Sequence, residues 1–400
     1  MTIVDDPLRR TIIKVIGVGG GGSNAVNRMI ESGLKDVDFL AANTDNQALS
    51  KCKAPVKVTL GRSVTKGLGA GGKPDVGAAA AEEDKEALKA VLAGADMVFV
   101  TAGMGGGTGT GAAPIVARIA KELGALTVAV VTRPFSFEGS RKRDLAQDGI
   151  EKLQKSVDAI ITIPNDKLLE LAGPHAPINE AFQQADDVLR MGVQGISEII
   201  TVEGQMNVDF ADVKTVMEGR GAVLMGIGKG SGENRAIDAA TAAIQNPLLD
   251  EVQIDGAKGI LVAVTASPDF SLAEFQEIMD IITQNRHEDA LIKQGYSINE
   301  NLRDEVIVTV IAAGFGEREA EVRSALSEEP RSNLTYPKTA KPLEGVRPRS
   351  DNGFGDLFSA VRTSPPAAAM KTMPRQGGLA PRNEEDNLEI PTILRQNMSL

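Results

Sequence analysis

Residues 96–111 read DMVFVTAGMGGGTGTG. A run of aliphatic residues ending near Thr101 has the look of a buried strand, and the glycine-rich loop 103–111 follows it directly. A stretch compatible with a helix comes next, from Ala112. Glycine lets backbone N–H groups approach an anion with no Cβ in the way, and a helix N-terminus adds the positive end of its dipole. Gly105, Gly106 and Gly107 are expected to supply free N–H groups, with Thr108 and Thr110 adding hydroxyl donors. Earlier in the chain the same grammar recurs. The aliphatic run 11–16 leads into GVGGGG at 17–22, again followed by a small-residue stretch. Two such loops on neighbouring strands would hold a polyphosphate from both sides.

Working outward, residues 11–175 alternate aliphatic and helix-like segments. Strands are expected at 11–18, 39–43, 97–101, 126–132 and 159–164, with helices at 24–32, 79–92, 112–123 and 140–157. This alternation predicts an α/β, Rossmann-like fold with a mostly parallel sheet. Ligands of such sheets sit at the carboxyl ends of the strands, where both glycine loops, Asn43-Thr44-Asp45 and residues 134–139 fall. Phe182, Ala185, Leu189, Val193, Ile196 and Ile200 then recur at helical spacing behind Asn179 as N-cap. This long helix would connect to a second, smaller α/β domain, with strands at 222–226, 259–266 and 305–312 and helices at 234–245 and 271–285. Beyond it the chain is rich in Pro, Gly, Ser, Arg and Lys without apolar period, which reads as a disordered linker. It ends in LEIPTILR at 388–395, an apolar island that is either a docking peptide or an inert tail.

Composition narrows the function. The formal net charge of −11 argues against sequence-independent nucleic-acid binding, and 3% aromatics with no Trp leaves no stacking platform. Cys52 is the single cysteine, so no internal disulfide forms, and a reducing, cytoplasmic compartment is expected. No apolar segment is long enough to cross or insert into a membrane. His175 and His287 lie far apart and, with one cysteine, suggest no zinc set.

The glycine loops leave two readings open. GVGGGG alone fits the G-x-G-x-x-G of a dinucleotide-binding oxidoreductase, with Asp36 or Asp38 as its acidic partner. It leaves GMGGGTGTG unexplained. No Walker loop is present, so a nucleoside triphosphatase here is not of the P-loop kind. NVDFAD at 207–212 offers Asn207, Asp209 and Asp212. Paired carboxylates with an amide can polarise water or hold a cation, and Asp209 also suits a helix N-cap with Asp212 in the first turn. Glu138 can accept from ribose hydroxyls, and the basic run 141–143 can neutralise phosphate. Asp186 and Asp187 lie on the long helix, where one carboxylate matches the adjacent N1–H and N2–H₂ donors of guanine.

GMGGGTGTG resembles the signature of the tubulin/FtsZ superfamily, and the chain is similar to its bacterial cell-division GTPases over most of its length. The likeness runs through KVIGVGGGG at 14–22, FEG at 137–139, IPNDKLL at 163–169, MNVDFADV at 206–213, SGENR at 231–235 and the terminal peptide. The resemblance implies a GTP-binding domain at 11–178, a connecting helix at 179–203, and a C-terminal α/β domain at 204–317 carrying the acidic loop. A linker at 318–387 and a partner-docking peptide at 388–400 would follow. It further implies that Gly20, Gly21, Gly22, Ser23 and Asn24 line the phosphates and base side of GTP or GDP. Gly107, Thr108 and Gly109 would hold the phosphates from the second loop, Glu138 would touch the ribose, and Asp186 would read guanine. Asn207, Asp209 and Asp212 would enter the nucleotide site of the next subunit and orient the attacking water, with Mg2+ bridging the β- and γ-phosphates. Hydrolysis would then depend on a head-to-tail homopolymer, a filament forming the ring at mid-cell, with membrane-tethering and regulatory division proteins bound to the tail. Lys142 stands where the family usually has arginine, flanked by Arg141 and Arg143. Lysine keeps the charge but loses the bidentate fork.

Overall fold

The computed structural model describes residues 10–172, 177–201, 206, 208–246, 257–284 and 289–315. Asn207, His175, His287, the linker 318–387 and the peptide 388–400 lie outside these residues. The chain runs β1 Ile13–Val18, α1 Gly19–Glu31, β2 Asp38–Asn43, α2 Asn46–Lys51, β3 Val56–Thr59, α3 Arg62–Thr65, α4 Pro74–Glu83 and α5 Lys85–Leu92. Next come β4 Met97–Gly103, α6 Thr108–Glu122, β5 Leu126–Arg133, α7 Ser140–Gln154, β6 Ala159–Pro164, α8 Asn165–Ala172 and α9 Ile178–Thr201. The last elements are α10 Phe210–Met217, β7 Gly221–Ser231, α11 Arg235–Ile244, β8 Gly259–Ala266, α12 Leu272–Thr283, β9 Leu291–Ile298 and β10 Glu305–Ala313.

Among the described residues the ten strands form one sheet in the order β3-β2-β1-β4-β5-β6-β7-β10-β8-β9. From β3 to β7 every pairing is parallel, as strand–helix alternation requires. The strands β1, β4, β5 and β6 are buried almost throughout because helices cover both faces. β10 runs antiparallel to both β7 and β8, and β9 is parallel to β8.

The two α/β halves are therefore not separate sheets. They join where Ala159, Ile160 and Ile161 of β6 pair with Gly221, Ala222 and Val223 of β7. On one face a single apolar core runs under α9 from Ile13 and Met29 through Val193 and Ile196 to Val223, Leu261 and Ile311. On the other face the halves keep separate cores, one around Val100, Val116 and Leu153, the other around Ala239, Ile278 and Val310. α9 thus braces both halves over its 24 residues, a length of about 35 Å.

Several elements differ from the sequence reading. The helices after the glycine loops begin at Gly19 and Thr108, inside the loops themselves, not at residues 24 and 112. The helix expected over 79–92 is two helices broken at Asp84, whose carboxylate accepts the Gly61 N–H. β3 and β9 are additional strands at the two edges of the sheet.

Candidate functional site

The strand order reverses between β1 and β4. β1 is flanked by the earlier β2 on one side and the later β4 on the other. In open α/β sheets ligands bind at this switch point, beyond the carboxyl ends of the strands. Both glycine loops leave the sheet here, so α1 and α6 start side by side. Their contact is tight. Gly19 has φ +73°, and a Cβ there would lie 2.9 Å from the Gly109 nitrogen. A side chain at this position would be strained and would drive the two helix starts apart.

Neither helix has a side-chain N-cap, and neither carries an acidic residue in its first turn. Four N–H groups at each helix start have no intrahelical partner. Soluble helices normally satisfy them with Ser, Thr, Asp or Asn. Two uncapped N-termini meeting at one point leave a cluster of donors, with two aligned dipoles, for an anion.

The predicted residues fall around this cluster as follows. Gly20 and Asn24 are exposed, and Gly21 and Thr108 are half-buried. Gly22 is buried, and a Cβ there would strike the Thr101 carbonyl oxygen at 2.3 Å. The Ser23 hydroxyl is buried and donates to the Gly19 carbonyl at 2.7 Å, so its own side chain is engaged within α1. Thr108 shares a hydroxyl hydrogen bond with Thr44 at 2.6 Å. The expectation that Gly105 and Thr110 offer free donors does not hold. The Gly105 N–H donates to the Thr110 hydroxyl at 2.8 Å, and Thr110 is buried. That bond fixes the loop's turn, while the Gly106 and Gly107 N–H groups have no protein acceptor among the described residues.

A third glycine loop, GLGAGGK at 67–73, completes the rim. It went unread because it follows α3 and not a strand. Its signal is nonetheless plain, four glycines in six residues, and all four have positive φ. The loop is tied to the end of β2: Gly69 N–H donates to the Thr44 carbonyl at 3.1 Å, and Asn46 N–H to the Gly67 carbonyl at 3.0 Å. It also presses on the second loop. A Cβ on Gly107 would lie 2.8 Å from both the Ala70 Cβ and the Lys73 nitrogen.

On the opposite rim, Glu138 accepts from the Phe135 N–H at 3.0 Å and from Lys142 Nζ at 2.8 Å. A carboxylate has further lone-pair sites, so both contacts orient it without exhausting it. Phe135 stacks on Phe137 and meets Phe182 of α9 edge-on, which docks the start of α9 against this rim. One turn on from Phe182, Asp186 is half-buried. Burial pushes its pKa up to about 7, Asp187 pushes the same way, and Arg28 of α1 partly offsets both. The attraction of Arg28 places Asp186 near α1, towards the last turn of that helix. No group of three or more potential metal-ligating side chains occurs among the described residues.

Asp209 and Asp212 are not in this cleft. Asp209 is the N-cap of α10 and accepts the Asp212 N–H at 2.7 Å, as the helix-start reading expects. The Asp212 carboxylate pairs with Lys293 of β9. Their neighbourhood is the far end of α9, where Ile199 and Val208 pack on Gly295. There Ile200 and Thr201 adjoin Ile12, Ile13 and Asp38 at the amino ends of β1 and β2. From Asp186 to Ile199 the helix advances about 20 Å. The acids and the glycine loops thus occupy opposite ends of the strands.

A model of the tubulin/FtsZ family GTPase domain matches residues 12–173, and one of the FtsZ family C-terminal domain matches residues 221–316. FtsZ of M. jannaschii, solved as an empty dimer, is 44% identical, with a TM-score of 0.74. The match covers 78% of this chain and 90% of that one. The chain belongs to the FtsZ family. It is a GTPase that binds GTP and GDP. CetZ2 of Haloferax volcanii, solved as a GTPγS-bound protofilament, shares the fold at 20% identity and a TM-score of 0.65. That match covers 78% of this chain and 97% of CetZ2. Family membership disposes of the oxidoreductase reading. Among the described residues no helix is long and apolar enough to cross a membrane.

Proposed function

We propose that this FtsZ-family GTPase assembles head to tail and hydrolyses GTP only where two subunits meet. The observation that carries the reading is the placement of the two half-sites. The anion-binding cleft lies at the carboxyl ends of β1 and β4, and Asp209 and Asp212 lie at the other end of α9. A surface that needs the opposite surface of another copy is heterologous, and repeating it without closure makes a filament. The relatives solved as a dimer and as a protofilament support this.

In the cleft, Gly20, Gly21, Gly22, Ser23 and Asn24 would line the phosphates and base side, Ser23 through its backbone. Gly107, Thr108 and Gly109 would hold the phosphates from α6, and the loop 67–73 would close over their end. Glu138 would accept from the ribose, with Lys142 steadying it, and Asp186 would accept from guanine N1–H and N2–H₂. Mg2+ would accompany the nucleotide and supply positive charge against the negative charge that develops on the phosphates. Asp209, Asp212 and Asn207 of the adjoining subunit would orient the attacking water in line with the γ-phosphate. We extend the reading to the filament's setting: a cytoplasmic ring at mid-cell, with division proteins docked on residues 388–395. The division of the chain into 11–178, 179–203, 204–317, 318–387 and 388–400 belongs to the same proposal.

The test is Asp212→Ala. The purified subunit should bind GTP as the wild type does and release no phosphate. Loss of GTP binding in a folded variant would contradict a site shared between subunits.

A further inference from the structure

Asp212 is held at two points. Its backbone N–H is fixed by Asp209, and its Oδ1 lies 2.6 Å from Lys293 Nζ. Lys293 stands on β9, and β9 also anchors the chain ahead of α10. Met206 bridges to Tyr296, with Tyr296 N–H donating to the Met206 carbonyl at 3.0 Å. The strand therefore acts as a platform for the whole acidic segment, and Lys293 is its charged contact. Lys214, next along α10, turns instead to Glu218. Among the described residues Lys293 has no other acid partner.

The side chains of Lys293 and Asp212 are 30% and 35% exposed. A pair this accessible adds little to stability. Its geometric effect is larger. An aspartate on the first turn of a surface helix samples several rotamers, and an ammonium on one oxygen selects among them. The second oxygen remains able to accept a hydrogen bond.

We propose that Lys293 is a positioning residue for GTP hydrolysis: by engaging Oδ1 of Asp212 it presents Oδ2 to the water at the γ-phosphate of the neighbouring subunit. The inference rests on the interface reading above. Lys293 touches neither GTP nor water; it acts through Asp212.

Lys293→Met keeps the length of the stem and removes the charge. Three quantities are measured: GTP affinity of the free subunit, assembly with a slowly hydrolysed GTP analogue, and phosphate release per assembled subunit. Affinity and assembly should be unchanged, with turnover reduced by about 10- to 100-fold, the scale expected when a reacting group is misplaced by about an ångström. Lys293→Arg should recover most of the rate. In an Asp212→Asn background, Lys293→Met should cost nothing further, because the two act as one unit. Unchanged turnover in Lys293→Met, with Asp212→Asn impaired, would overturn the proposal. So would parallel loss of assembly in the Met and Arg variants, which would make Lys293 a brace for α10. Wild-type turnover in Asp212→Asn alone would overturn the interface reading itself.

Discussion

Asp186, on the proposed reading, ties GTP binding to pH. Its pKa is raised from 3.8 to about 7, because burial penalises the charge and Arg28 only partly offsets it. Guanine donates hydrogens, so the carboxylate proposed to receive it must be ionised. GTP affinity should therefore fall by up to about tenfold per pH unit as pH drops below about 7. Asp186→Asn should abolish that slope along with the preference for guanine, as titration calorimetry against GTP and ATP would read. The stability sign is the opposite. An acid whose folded pKa is raised destabilises the unliganded fold as pH rises from about 4 to about 7. Asp186→Asn should accordingly raise the melting temperature near pH 8 and leave it unchanged near pH 4. Gly107 makes a second residue-scale prediction. Gly107→Ala places a Cβ against Ala70 and the Lys73 nitrogen. It should push the third loop outward, weaken GTP binding by about tenfold, some 1.4 kcal/mol, and lower the melting temperature of the unliganded protein, since the backbone must shift. At this scale the sequence was informative about residue types and silent about partners. Glycines, Asp186 and Asp212 stood out by kind. The capture of the Gly105 N–H by Thr110 and the pairing of Lys293 with Asp212 depend on distances that only the fold sets.

At the level of elements, legibility followed burial. Strands in the middle of the sheet are apolar runs and were plain. The edge strands were not, because an edge is half-exposed and keeps polar residues such as Lys57, Lys293 and Gln294. The helix starts were set too late because glycine has poor helix propensity, yet here glycines form the first turns of α1 and α6. Two adjoining, uncapped helix starts are donors open to an anion, and propensity carries no sign of that. A different element-scale device stabilises the C-terminal half. Arg235, buried at the start of α11, bonds Glu274 of α12 at 2.7 Å and lies 3.2 Å from Asp269 and 3.3 Å from Asp304. The Ser267 hydroxyl and then the guanidinium hold the Asp269 carboxyl below its usual range, and the guanidinium, helped by Ser271, does the same for Glu274. Arg235→Ala should destabilise the fold, read as a lower denaturant midpoint, because it removes the buried guanidinium that Glu274, Asp269 and Asp304 share. The contribution of the lowered carboxyl pKa values is present at neutral pH and lost on acidification, as those carboxyls become protonated. The penalty of Arg235→Ala should therefore shrink at acid pH.

At the scale of the molecule, one continuous sheet and a shared core under α9 join the two halves, with the glycine-loop cleft at one end and the acidic residues at the other. Strand–helix alternation foretold the parallel sheet and the second α/β half. The pairing of β6 with β7 could not be foreseen, since it depends on only three residues in each strand. The proposed head-to-tail contact predicts dominance in mixtures. Asp212→Ala subunits added to wild type should suppress turnover more than in proportion to their share, because each one disables the site of a wild-type neighbour. A strictly proportional decline would assign each active site to a single chain. The most direct measurement follows light scattering and phosphate release together, with GTP and then GDP in magnesium buffer, across protein concentration. The account predicts that scattering and turnover appear at one shared threshold concentration with GTP, and that neither appears with GDP. Turnover proportional to protein concentration with no threshold would contradict it.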